Sequence, residues 1–369
     1  MKTNGNKLKV TIVGAGNSAM AHAFVLSKLG HEVSILKTSN AMHDDNFNAV
    51  QRNGGIYCID HTAQTPVGEF VTIRQITRDD AAAFDGAELV LVLTQSLQHP
   101  QIAKRILPYI QNIKALLVVP GNMGSVYFRR GLPDSVIVAE GESTIVDARI
   151  GQPGEVEILF RNVRNALSFN PARDARRGFD FFHSLLPDNY THTRANIVET
   201  AMNNPNLVVH TVGSVLSASR IEYAKGDFWL YREGFTPSVW KVINALDAEK
   251  IAVINAFGGN GQPYVECCKF RNELDPDIDA MQAFNNYAQN GSPKGPATIN
   301  NRFLTEDVPN GLCLLSSLGK LAGIATPTAD ALASIAGTML DADFMTTART
   351  PKALGFNSKD ELLAYCTPD

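Results

Sequence analysis

The chain has 369 residues, of which 44% are hydrophobic and 19% charged, and its net charge is −4. That length suits two cores better than one, and the slight acidic balance leaves no cationic excess to neutralise a nucleic-acid backbone. No apolar run reaches the roughly 18 residues of a membrane span, and the five cysteines, Cys58, Cys267, Cys268, Cys313 and Cys366, are odd in number and lack the spacing of a disulfide framework or a metal site.

Residues 8–13 (LKVTIV) predict a buried strand, residues 17–29 a helix stopped by Gly30, and residues 32–37 (EVSILK) a second strand. Together they read as a βαβ unit. The turn between the first strand and the helix is Val13-Gly14-Ala15-Gly16-Asn17-Ser18-Ala19, a GxGxxA pattern. Gly14 permits the tight turn, Gly16 lets a pyrophosphate approach the backbone, and Ala19 lets the helix pack closely on the strand. The free N–H groups of Asn17 and Ser18 then face the anion at the helix N-terminus. A ligand-free turn is the plain alternative. The pattern follows an apolar strand, opens a helix and has a second strand at the right distance, which favours a dinucleotide-binding Rossmann unit.

The second strand ends in Leu36-Lys37-Thr38-Ser39. An NAD-binding chain usually offers a carboxylate there for the ribose 2′-hydroxyl. Lys37 and Thr38 suit a 2′-phosphate instead, which favours NADP(H) and leaves NAD(H) as the alternative. Lys37 as a solvated strand end is the competing reading. Further on, residues 88–94 and 115–119 predict buried strands, 100–110 a helix and 135–139 another strand, with irregular strands over 155–169 completing the sheet. Continuous apolar runs alternating with helices imply a parallel sheet covered on both faces. Gln95 and Asn122 follow two of these strands, at the carboxyl edge where the nicotinamide end of a dinucleotide belongs. Ordinary turns would look the same.

The pattern changes near Pro187. Helical periodicity dominates over 206–220, 237–257, 276–288, 311–322 and 327–340. The expected organisation is an α/β Rossmann domain over 1–187 and a mainly α-helical domain over 188–369. In the first of these helices Asn203, Asn206, His210, Gly213, Ser214 and Ser217 share a face. That stripe either lines a cleft around His210 or is a solvent face. The segment Asn301-Arg302-Phe303-Leu304-Thr305-Glu306-Asp307 offers an Arg to bind a carboxylate bidentately and an Asp to orient an imidazole. Alternatively, Asp307 caps the next helix and Arg302 is merely exposed.

At these residues the sequence resembles the octopine/nopaline (opine) dehydrogenase family, within the glycerol-3-phosphate dehydrogenase-like folds. The blocks that carry the likeness are VGAGNSAMAHAF, Pro120-Gly121-Asn122, NNPNLVVH ending at His210, LYREGFTPSV, DAEKIAVINAFG and RFLTEDVPNGL. The resemblance implies a helical second domain like the C-terminal domain of 6-phosphogluconate dehydrogenase. It also implies reductive condensation of an amino acid with a 2-oxo acid through an imine. His210 and Asp307 fall on the family's catalytic pair, Arg302 on its substrate-carboxylate Arg, and Ser143 and Thr144 where members place substrate-contacting hydroxyls. The chain departs from the family at Thr211, where Pro is frequent, at the extra acid Glu142, and at Lys37.

A 2-oxo acid or ketone reductase of the ketopantoate-reductase kind is the enzymatic alternative, with Lys241 or Lys250 as the acid. A dinucleotide-binding regulator is the non-enzymatic one. The expected partners are the small-molecule substrates, without nucleic acid or membrane, and a homodimer is left open. The opening stretch MKTNGNKLKVTIVGAG lacks the apolar segment of a secretory signal, so the expected compartment is the reducing cytoplasm.

Overall fold

The computed structural model describes residues 7–40, 42–66 and 68–367. Residues 1–6, part of the opening stretch read above as lacking a secretory signal, lie outside them. The described residues fall into two compact units. One comprises those within Met1–Pro120, Gly124–Asn170 and Asp174–His192, the other those within Gly121–Met123, Pro171–Arg173 and Thr193–Asp369.

The first unit contains twelve strands among its described residues: β1 (Lys9–Val13), β2 (Glu32–Leu36), β3 (Gly55–Asp60), β4 (Gly68–Thr72), β5 (Gln75–Thr77), β6 (Leu89–Val92), β7 (Ala115–Val118), β8 (Ile137–Gly141), β9 (Val146–Ile150), β10 (Glu155–Arg161), β11 (Asn165–Phe169) and β12 (Tyr190–Thr193). The main sheet has the order β12-β11-β8-β7-β6-β1-β2-β5. Its centre is parallel from β8 to β5, and β11 joins antiparallel to β8. Side chains alternate along the strands. Val10, Ile12, Leu89, Leu91, Ala115 and Leu117 enter one hydrophobic cluster, while Val90, Val92, Leu116 and Val118 enter another. A strand buried on both faces has no polar side to show, which is why these runs are continuously apolar.

The helix Asn17–Lys28 buries Ala19, Ala23, Phe24 and Leu26 in the first cluster. That cluster also holds Ile56, Cys58, Val156 and Ile158, which come from a second sheet of order β4-β3-β10-β9. The expectation that 155–169 would finish the main sheet therefore holds for β11 only. Strand β10 pairs parallel with β3 and antiparallel with β9, because the chain between β2 and β6 supplies a hairpin, β3–β4, that offers β10 an edge.

The second unit is helical. Observed helices span Asn206–Leu216, Ala218–Ala224, Pro237–Ala256, Tyr264–Asn272, Ala280–Asn290, Cys313–Ala322 and Pro327–Leu340. The predicted helix over 206–220 breaks at Ser217. The one predicted from 276 begins at Ala280, capped by Asp279, whose carboxylate accepts from the Gln282 N–H. A π-helical turn, Val308–Leu312, precedes Cys313. It contains Pro309, which has no N–H for a regular ladder.

Candidate active site

The glycine turn is built as its pattern requires. Gly14 has φ +121°, and a Cβ there would lie 2.6 Å from the Leu93 carbonyl oxygen. Gly16 is different, because its φ is an ordinary −89° and a Cβ would meet nothing within 4 Å. One glycine is demanded by the fold and the other leaves room for a ligand, so the turn fits a dinucleotide pyrophosphate. Ala19 is fully buried. Asn17 Oδ1 accepts the Ile150 N–H at 2.9 Å, tying the turn to β9. His22 Nδ1 donates to the Ser18 carbonyl at 2.7 Å. Burial pushes the His22 pKa down to about 4, so this helix carries a neutral imidazole beneath the turn.

Lys37 departs from expectation. Its side chain is 1% exposed and is not a solvated strand end. Nζ donates to Ser39 O at 3.0 Å, Ser39 Oγ at 2.9 Å and Met42 O at 2.7 Å, and pairs with Asp44 at 2.8 Å. A buried ammonium needs such a set of acceptors. The lysine straps down the loop after β2, and Arg78, half-exposed, bonds the same Asp44 carboxylate. Thr38 is half-buried and Gln95 exposed. Ser143 is half-buried, whereas the Thr144 hydroxyl donates to Val146 O at 2.9 Å.

In the second unit, the polar stripe of Asn206–Leu216 is no solvent face. His210 is 5% exposed, and Asn203 and Ser214 are buried as well. His210 Nδ1 lies 2.7 Å from Asp307 Oδ2, and Asp307 makes no side-chain cap to the turn that follows. The helix-cap reading of Asp307 is thereby replaced. Burial pushes the Asp307 carboxyl up to about 7, while the Arg302 charge and a hydrogen bond from Asn206 pull the other way. Arg302 itself is 49% exposed, with Nη1 3.9 Å from Glu306 Oε2.

The sequence reading gave no role in the site to three further residues, Phe303, Asn204 and Arg349. The Phe303 ring stacks on the His210 imidazole with centroids 3.5 Å apart. Asn204 Oδ1 accepts the Asn206 N–H, and Asn204 Nδ2 donates to Asn122 Oδ1 at 2.8 Å. Asn122 has φ +49° and is 3% exposed, and buried Arg349 donates to the Gly121 and Asn122 carbonyls at 3.0 and 2.7 Å. Asn122 is thus held by Asn204 and Arg349. The signal for Asn204 was its place before Pro205. Nothing in the sequence marks Arg349.

Residues 193–340 match the model of the NAD/NADP octopine/nopaline dehydrogenase alpha-helical domain. An opine dehydrogenase of Arthrobacter sp. (strain 1C) is 31% identical over 290 residues, which cover 76% of this chain and 79% of that protein. The chain belongs to the opine dehydrogenase family. Its activity is accordingly that of an NAD(P)-dependent oxidoreductase acting on a CH–NH bond. The fold is shared with a solved octopine dehydrogenase in complex with NADH and agmatine, at TM-score 0.75 and 20% identity over 98% of this chain and 99% of that one. It is shared too with an NADP+-bound yersinopine dehydrogenase, at TM-score 0.70 and 14% identity over 97% of each chain. The ketone-reductase alternative loses its acids: Lys250 is buried against Asp247 at 2.6 Å, and Lys241 is exposed.

Proposed function

We propose that this chain reduces the imine of an amino acid and a 2-oxo acid to a secondary-amine dicarboxylate, with His210 as the acid. The bound nicotinamide supplies the hydride. His210 protonates the hydroxyl that leaves as the imine forms, recovers the proton that the nitrogen sheds, and returns it to that nitrogen as the carbon accepts the hydride. Asp307 holds the ring through Nδ1, which assigns the proton delivery to Nε2 and stabilises the imidazolium between turnovers. Arg302 receives a substrate carboxylate with its planar fork. Ser143 orients the substrate. Thr144 serves by shaping the backbone, since its hydroxyl is already used. The observation that carries this reading is the buried 2.7 Å contact between His210 and Asp307.

The preferred cofactor in this reading is NADP(H). No carboxylate of the strand end is offered to a ribose hydroxyl, and Asp44 is engaged by both Lys37 and Arg78. Arg78 and Thr38 are then the groups for the 2′-phosphate, and Lys37 acts by fixing the loop after β2 and, through Asp44, the carboxylate that Arg78 bonds. Gly14, Gly16, Asn17, Ser18 and Ala19 hold the pyrophosphate, while Gln95 and Asn122 attend the nicotinamide end.

The test is NADPH and NADH oxidation with a 2-oxo acid, with and without each of a panel of amino acids. Turnover should require the amine, and Arg78→Ala should raise KM for NADPH more than for NADH. Turnover that ignores the amine would sink the imine reading.

A further inference from the structure

The hydrogen bond to Asp307 fixes one atom of the His210 ring but not the plane of that ring. Phe303 supplies the second constraint. The two rings are 3.5 Å apart between centroids and 11° from parallel, which leaves them overlapped face to face. Neutral aromatic pairs avoid this arrangement and prefer offset or edge-on contacts. A cation over a ring face is attracted to it. The stack is therefore matched to the protonated imidazole and poorly matched to the neutral one. The backbone makes the contact dependable: Asn301 Oδ1 accepts the Phe303 N–H at 2.8 Å, which pins the start of the turn Arg302–Thr305.

We infer that Phe303 is a positioning residue for His210, setting the plane of the imidazole and favouring its protonated form through the π face. Among the charged groups near the pair, Arg302, Glu306 and Asp307 come from the same segment as Phe303, and Arg302 lies 5.8 Å from the Phe303 ring. The turn Val308–Leu312 has no ionisable side chain. On helices packed against Asn206–Leu216, Asp247 and Lys250 pair with each other. On the same helix, Pro237–Ala256, Glu249 accepts the Thr328 and Ala329 N–H groups at 2.7 and 3.0 Å, and Lys241 is exposed. Glu233 pairs with Arg220, Arg232 bonds the Ala288 carbonyl, and Asp330 is exposed. The inference rests on His210 as the acid, but its readout does not.

The experiment is a pH titration of the His210 ring by NMR in the full chain, with signals assigned by comparison with His210→Gln. In Phe303→Leu the imidazole pKa should fall by about half to one and a half units, and the ring protons should lose the ring-current shift. Phe303→Tyr should restore both. Pentafluorophenylalanine at 303 keeps the shape but inverts the quadrupole, so the pKa should fall with the stack intact, even if Phe303→Leu folds poorly. An unchanged His210 pKa in the fluorinated chain would overturn the inference. Failure of His210 as the acid would show separately, as unaltered kcat in His210→Ala.

Discussion

At the scale of single residues, the site depends on two side chains removed from water together. Burying a carboxyl and an imidazole is costly unless each satisfies the other, and the 2.7 Å contact does so. His210→Ala should lower kcat by about 10²–10⁴ with little change in cofactor affinity, as steady-state kinetics would report. Arg302→Ala should chiefly raise KM for the carboxylate substrate, and Arg302→Lys should restore little, since an ammonium lacks the planar fork. The raised Asp307 pKa gives the pH dependence its sign. The pair must hold a proton to donate it, so reductive kcat/KM should hold at low pH and decline as pH rises through about 7. Stability follows the same sign. A carboxyl raised in the folded state contributes below its unfolded value of 3.8 and loses that contribution as pH rises through about 7. Asp307→Asn should therefore narrow the fall in Tm between pH 5 and 8 while removing activity. A Tm profile identical to the parent's would contradict this.

At the scale of elements, the glycine turn separates a folding requirement from a binding one. Gly14→Ala places a Cβ against the Leu93 carbonyl at positive φ. It should cost about 1–3 kcal/mol, seen as a Tm lower by a few degrees. Gly16→Ala meets open space and an ordinary φ, so Tm should be unchanged. Its dinucleotide Kd should rise by roughly tenfold or more, a loss of about 1.4 kcal/mol. Equal effects on Tm would mean that Gly16 is structural. Helix Asn206–Leu216 teaches the converse lesson. Its stripe of small polar residues looks like a solvent face in sequence, and only packing shows that His210 and Ser214 are buried. Periodicity reports which residues share a face, not what that face meets.

At the scale of the whole molecule, the described residues include no helix long and apolar enough to cross a membrane and no cluster of His, Cys, Asp or Glu placed to hold a metal ion. None of the five cysteines forms a disulfide and all are buried, and burial pushes the Cys58 and Cys313 thiols up to about 12. The native chain should react slowly with a thiol reagent, and its Tm should not change on adding reductant. Rapid labelling of the native state would show that one of them is accessible.

The sequence by itself determined the parallel sheet, the glycine turn and the run of helices in the second unit. Each is written in local spacing: continuous apolar runs, glycines around a tight turn, apolar residues at helical intervals. The likeness to the family pointed to His210, Arg302 and Asp307 as candidates. What tertiary structure alone decided is what each side chain meets. It closed the contact between His210 and Asp307, laid Phe303 on the imidazole, and spent the Lys37 ammonium on its own loop. It also drew β10 away from the main sheet to pair with β3. The physical reason is the same throughout. A hydrogen bond, a ring stack or a strand pairing between residues distant in the chain depends on where the backbone brings them, and no local pattern records that.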